Sequence, residues 1–382
     1  MLKQTLTLTD LTLFGVASIM GSGGFNLIGH GVRSGGSCWP LAAALAATLV
    51  MGSAWTYASA FARFKTNTSE SDILRTALGV EAEDIGSLAI LVYSVASIVV
   101  ILVICSQLLL PTGTWVTQTG LTIGILATMT TVALFGIDVD KAIIMPMTWG
   151  LIGTLLVACG FGMTHGPVPT MPVLTPKNFL HSLWMFFFVL IGFDALMKFV
   201  EEAKDPADIP TAFYLSNGIS TLLTFGVATA IATWIRLIPA TEGMAIESLF
   251  ALFVGPWFRT PFIWIVIAFL LITTFIVFLA TSRYLFGLGE KGGALAPFAA
   301  TENNVPWVSI LSVFSAAAGV SMINNVEHLV MITDFGFSII GGLVATAACV
   351  ADWRDGLVGS ALVDGGVAAG FVAMLLTGLV PA

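Results

Sequence analysis

The stretch Phe14-Gly15-Val16-Ala17-Ser18-Ile19-Met20-Gly21-Ser22-Gly23-Gly24-Phe25-Asn26 is apolar or small throughout and puts three glycines among four residues. Each glycine disfavours helix by about 1 kcal/mol relative to alanine, so a helix entering this stretch is expected to break. A second stretch, Phe186-Phe187-Phe188-Val189-Leu190-Ile191-Gly192-Phe193-Asp194-Ala195, carries a glycine at a similar place, followed closely by an ionisable residue. A broken helix presents bare backbone ends. The N–H groups around Ser22, Gly23, Gly24 and Phe25 would begin a second half-helix and suit a carboxylate. Carbonyls near Ile19, Met20 and Ile191 would accept from an ammonium group. With Gly192, Phe193 and Asp194 they form a candidate binding set matched to a zwitterionic α-amino acid. The alternative is that the glycines only let helices pack closely; two breaks at matching depth weigh against it.

Other residues carry narrower chemistry. Asp194 either selects a cationic group, or caps the second half of its helix and pairs with Lys198 four residues on. Asp334, in Thr333-Asp334-Phe335-Gly336, is an ionisable group inside an apolar span and by default a functional candidate: a proton carrier or gate, or a buried hydrogen-bonded acceptor. Phe193 is either an aromatic gate or core packing. Glu201 and Glu202 anchor the end of their span. The cysteines Cys38, Cys105, Cys159 and Cys349 and the histidines His30, His165, His181 and His328 are scattered without ligand spacing, so neither a metal nor a cofactor is expected. No paired groups for catalysis stand out, and no enzyme is expected.

The elements that position these residues follow from composition. Of 382 residues 57% are hydrophobic and 9% charged, with a mean hydropathy of +0.98. Too few polar side chains exist to cover a soluble fold, so the surrounding solvent is lipid. The net charge of -8 and the lack of a basic run exclude nucleic acid as a partner. Eleven apolar stretches are long enough to cross a bilayer: 11–32, 38–61, 86–110, 119–138, 142–163, 179–201, 211–237, 260–284, 306–323, 328–350 and 357–380. Backbone satisfaction in hydrocarbon makes each helical, giving an all-α polytopic membrane protein. The first stretch lacks a signal-peptide cleavage site and is expected to stay in the protein. With the N-terminus in the cytoplasm, ten cations fall inside and four, Arg33, Lys177, Arg236 and Arg259, outside. The chain is then integral, multi-pass and placed in the cell membrane. Loop 63–84 is expected inside, with a short helix at 71–78. The proline-rich loop 164–178 is expected extended and outside, and 244–253 forms a short interfacial helix. No nucleotide-binding loop supports an ATP-driven pump, and no filter or ring of charge supports an ion channel.

Five spans separate the two breaks, so their helices enter from opposite sides as an inverted pair, the arrangement that marks a midplane transport site. At these residues the chain resembles the amino acid-polyamine-organocation transporter superfamily. Gly21-Ser22-Gly23-Gly24-Phe25 is similar to its first-helix break. Phe187 to Asp194, then Glu201-Glu202-Ala203-Lys204-Asp205-Pro206 and Ile209-Pro210, resemble its F-x-G-F-D, E-E-x-K-N-P and I-P pattern. Tyr57 to Phe64, Ser282-Arg283-Tyr284-Leu285 and Pro306 are further echoes. The resemblance, over roughly residues 8 to 350, implies a five-plus-five inverted repeat: 1–163 as the first repeat, 164–350 as the second and 351–382 as a peripheral helix. It implies a secondary transporter moving amino acids by alternating access, as proton symporter or exchanger, with polyamine or organic cation transport as the alternative. In some members helices eight and one form a sodium site, which makes Thr273 and Thr274 coupling candidates. Members usually carry one helix more than the eleven counted here, a peripheral one. Some proton-coupled members have a lysine in the middle of the fifth helix; here Trp149 lies about there, and Lys141 lies at the entrance.

Overall fold

The computed structural model describes residues 4–25, 27–164, 166, 175–238 and 244–378. Thr7 starts the first helix through a reciprocal cap: its hydroxyl accepts from the Asp10 N–H at 3.3 Å, and the Asp10 carboxylate accepts from the Thr7 N–H at 2.9 Å. From there the chain builds α1 (Leu8–Gly23), α2 (Leu27–Gly35), α3 (Trp39–Phe64), α4 (Ser69–Leu78), α5 (Val80–Leu109), α6 (Trp115–Ala133) and α7 (Ile137–Gly162). It continues through α8 (Pro176–Leu190), the 3₁₀ helix Phe193–Glu202, α9 (Asp208–Trp234), α10 (Ala245–Val254), α11 (Arg259–Glu290), α12 (Trp307–Val320), α13 (Val326–Arg354) and α14 (Val358–Gly378). Prolines and hydroxyls set several starts. Thr175 caps α8, whose first residue is Pro176, and Asn325 caps α13.

Every expected span has a helical counterpart, and the short helices expected at 71–78 and 244–253 are α4 and α10. Among the described residues nine helical stretches are long and apolar enough to cross a membrane, one of them running from α2 through α3. The first and ninth spans are represented by shorter apolar helices, Leu8–Gly21 and Trp307–Ile323. The protein is therefore an all-helical, polytopic membrane protein. Most of loop 164–178, including Pro167, Pro169 and Pro172, lies outside the described residues.

The centre of the bundle is α1 with the α8/3₁₀ pair. α1 packs on α7, α9 and α11; α5 lies between α11 and α13; α8 touches α2 and α3. The interior faces of α1, from Leu11 through Met20, and of the 3₁₀ segment are buried. Outward faces of α6, α7 and α14 show Val116, Leu156 and Leu362, as lipid contact requires. Trp149, on α7, is 59% exposed and belongs to this outer surface rather than to the interior.

The first break differs from expectation. α1 stays helical through Ser22 and Gly23, the Gly24 N–H bonds the Met20 carbonyl at 3.1 Å, and the helix resumes at Leu27. The discontinuity thus begins at Gly24, the last glycine of the cluster, rather than at Gly21. Packing explains the shift: α1 meets α11 so closely at Gly21 that a Cβ there would fall 1.3 Å from Thr273 Oγ1. Gly21 serves that approach, and tertiary contact overrides its low helix propensity.

Candidate functional site

The second break forms where expected. Ile191 ends α8 in an extended conformation (φ -77, ψ 160), and Gly192 follows at φ +121, which favours glycine. A side chain at Gly192 would also press 3.0 Å from the Ser18 carbonyl oxygen. Beyond it the chain continues not as α-helix but as ten residues of 3₁₀ helix, a length at which this geometry is uncommon. The Ser18 hydroxyl donates to the Gly192 carbonyl at 2.9 Å, so α1 holds the break directly. One residue earlier in α1, the Thr273 hydroxyl donates to the Ala17 carbonyl at 2.6 Å and fastens α1 to α11.

Between these contacts lies a cavity of about 40 Å³, enclosed by α1, α5, α8, the 3₁₀ helix, α11 and α13. It has room for a few water molecules and none for an amino acid. Its wall is rich in hydroxyls, among them Ser18, Ser94, Ser97, Thr273, Thr281 and Thr333. At its floor Lys198 Nζ lies 2.8 Å from Asp194 Oδ2 and 2.8 Å from Glu70 Oε1. Tyr93 donates its phenol to the same Asp194 oxygen, and Lys198 sits 5.8 Å above the Tyr284 ring. Two carboxylates therefore share one ammonium group in a site that water scarcely reaches. Glu70 arrives from α4, outside the spanning helices; its second oxygen, Oε2, is buried without a hydrogen-bond partner. Burial, opposed by Lys198 and reinforced by Asp194, pushes the Glu70 carboxyl up to about 7.

The sequence candidates divide clearly against this geometry. Ile191, Gly192, Asp194 and Thr273 line the cavity. Asp194 pairs with Lys198 as one reading expected, but it caps no helix: its carboxylate is taken by Lys198 and Tyr93, and the residue at the cap position is Gly192. Phe193 is not part of the cavity wall and packs edge-on against Tyr57 and Phe213 at 5.5 and 5.7 Å and against the wall residue Phe337 at 6.5 Å. Ile19 and Met20 are buried in continuous helix, and the Met20 carbonyl is occupied by Gly24. Ser22 and Gly23 end α1 instead of starting α2, because the break lies beyond them. Phe25 stacks on Phe269 of α11 at 5.7 Å, away from the cavity wall. Thr274 bonds the Leu270 carbonyl of its own helix. Asp334 is buried, with Oδ1 unpartnered among the described residues, yet the cavity is lined by its neighbour Thr333.

Sequence reasoning passed over Glu70, Tyr93 and the α5 serines. Tyr93 had a signal, since it is one of four tyrosines and falls inside the apolar run 86–110. Below the cavity a second charged cluster closes the same end of the bundle. Arg283, fully buried, reaches Glu202 at 2.9 Å and Asp140 at 3.7 Å and lies over the Phe199 ring. Glu201 accepts from Asn67 at 2.8 Å, and Lys141 pairs with Asp10 at 2.5 Å. The Thr5 and Leu6 N–H groups both donate to the Glu202 carbonyl at 2.9 Å, tying the N-terminal segment to the end of the 3₁₀ helix. Glu202 is thus an anchor, as expected. No protein-family model matches the chain, and neither does any curated protein.

Proposed function

We propose that the chain is a secondary transporter of the amino acid-polyamine-organocation type, moving a small amino acid across the membrane by alternating access. Residues 1–163 and 164–350 would be the inverted repeats and 351–382 the peripheral helix. The observation that carries this reading is the contact of the two discontinuous spans, one from each half, beside a cavity that bears several hydroxyls: Ser18, in the continuous part of the first, bonds Gly192 at the break of the second. Within one residue the second break offers carbonyl oxygens at the end of α8 and N–H groups at the start of the 3₁₀ helix, partners for the two charges of a zwitterion. A polyamine would need free carboxylates facing the cavity, and the Asp194 carboxylate is already engaged by Lys198. The closed cavity is then an occluded intermediate, from which the 3₁₀ segment swings to open one side. Purified protein in liposomes should take up a labelled neutral amino acid saturably and faster when the same amino acid is loaded inside. Uptake confined to polyamines would replace the substrate class; a steady ion conductance without saturable uptake would replace the transporter reading.

A further inference from the structure

We propose that Glu70 is the proton-carrying carboxyl of this transporter, coupling proton binding to opening by making and releasing its ion pair with Lys198. The inference rests on the transport reading above. Its geometry is specific. α4 does not span the membrane, yet it inserts Glu70 beneath the cavity, fully buried, so that the side chain joins α4 to the 3₁₀ half of the broken span through Lys198. Lys198 is the only cation in contact with either Glu70 or Asp194 among the described residues. Oε1 holds the lysine, while Oε2 points at no donor and is open to a proton.

The groups facing Glu70 come from several elements. The 3₁₀ helix brings Lys198 and Asp194, α3 brings Tyr57, α5 brings Tyr93, and α11 brings Tyr284, whose hydroxyl meets Ser71 beside Glu70. α13 also packs on α4. Its Arg354 reaches the Ala77 carbonyl at the far end of that helix, and its Asp334 makes no ion pair with these groups. With Glu70 ionised, the cluster holds two negative charges and one positive, and the pair latches the 3₁₀ segment to α4. A proton added at Oε2 makes the carboxyl neutral. Lys198 then keeps Asp194 as its one charged partner, the latch loses its ionic contact, and the 3₁₀ segment is freed to move. A carboxyl poised at about 7 changes state over the range that a modest pH gradient covers.

The test uses the full chain in liposomes, with the neutral amino acid that wild type exchanges. Counterflow at equal pH on both sides reads transport itself, and accumulation driven by a pH gradient reads coupling. Wild type should show both. Glu70→Gln, which mimics the protonated carboxyl, should keep counterflow and lose accumulation, its inside-to-outside ratio falling to equality. Gly124→Ala, on the exposed face of α6 with nothing near its would-be Cβ, should keep both. A Glu70→Gln protein that retains counterflow and still concentrates substrate overturns the proposal, whereas a wild type without counterflow overturns the transport reading first. If Glu70→Gln does not fold, Glu70→Asp is read instead: withdrawing the carboxyl from Lys198 should displace the pH midpoint of accumulation, and an unchanged midpoint overturns the assignment.

Discussion

Replacing Gly21 by alanine tests the close approach of α1 to α11. The new methyl would stand 1.3 Å from Thr273 Oγ1 and 2.5 Å from Thr273 Cβ. Rotating the threonine relieves the first contact but not the second, because Cβ is fixed to the α11 backbone. The helices must therefore part by roughly 1 Å to restore an ordinary carbon–carbon distance. Overpacking of this kind costs about 1–3 kcal/mol. Losing the Thr273–Ala17 hydrogen bond adds about 0.5–1.5 kcal/mol, and the better helix propensity of alanine returns about 1 kcal/mol. The net expectation is a loss of about 0.5–3.5 kcal/mol. Gly124, on α6, has nothing within 4 Å of its would-be Cβ, so Gly124→Ala should instead stabilise by up to about 1 kcal/mol. Thermal unfolding in detergent, followed by a dye that reacts as the buried Cys105 thiol becomes exposed, measures both variants. Opposite signs are expected. A Gly21→Ala protein as stable as wild type would refute the packing argument, and with it the account of why α1 runs unbroken through Gly21.

Arg283→Ala leaves Glu202 and Asp140 buried without their cation and should destabilise by about 3–5 kcal/mol; a change within about 0.5 kcal/mol, the range of ordinary surface substitutions, would contradict the arrangement. Since the folded chain holds the Glu70 proton up to about 7 and an unfolded carboxyl releases it near 4.5, the folded form binds more protons between those values, and stability falls as pH rises through that window. The difference between wild type and Glu70→Gln, measured as midpoint against pH, should show this slope, and parallel curves would count against it. Cysteines placed in loops 63–84 and 164–178, in a background lacking the native four, should label from opposite faces of the membrane; labelling from one face would overturn the inverted pairing.

The spanning helices were legible because hydropathy over a bilayer's width is a long signal that local details do not disturb. The short helices were legible between spans, α4 as a helical piece of the polar loop and α10 as an amphipathic one. Gly192 was read correctly because much of its role is local: a positive φ at a change of helix type favours glycine. Gly21 was misplaced as the break because its role is not local. Only the neighbouring Thr273, 252 residues away in the chain by the numbering, shows that a missing Cβ there admits a helix rather than ends one. The hydroxyl wall had no sequence signal, since Ser94 and Ser97 in an apolar run look like small packing residues. Glu70 was hidden differently. It lies in the most polar loop, where an acidic residue reads as solvated, and nothing in the loop's composition shows that α4 folds back under the cavity.

Alternating access to the cavity is the centre of the account, and one residue on its wall tests it most directly. Ser94, buried on α5, can be replaced by cysteine in a chain whose four native cysteines have been removed. In sealed vesicles an impermeant thiol reagent should modify this cysteine when added on either side, and a transported amino acid should slow the reaction from both. Labelling from one side alone, or at a rate that substrate leaves unchanged from each side, would contradict a central site that opens in turn to the two faces of the membrane.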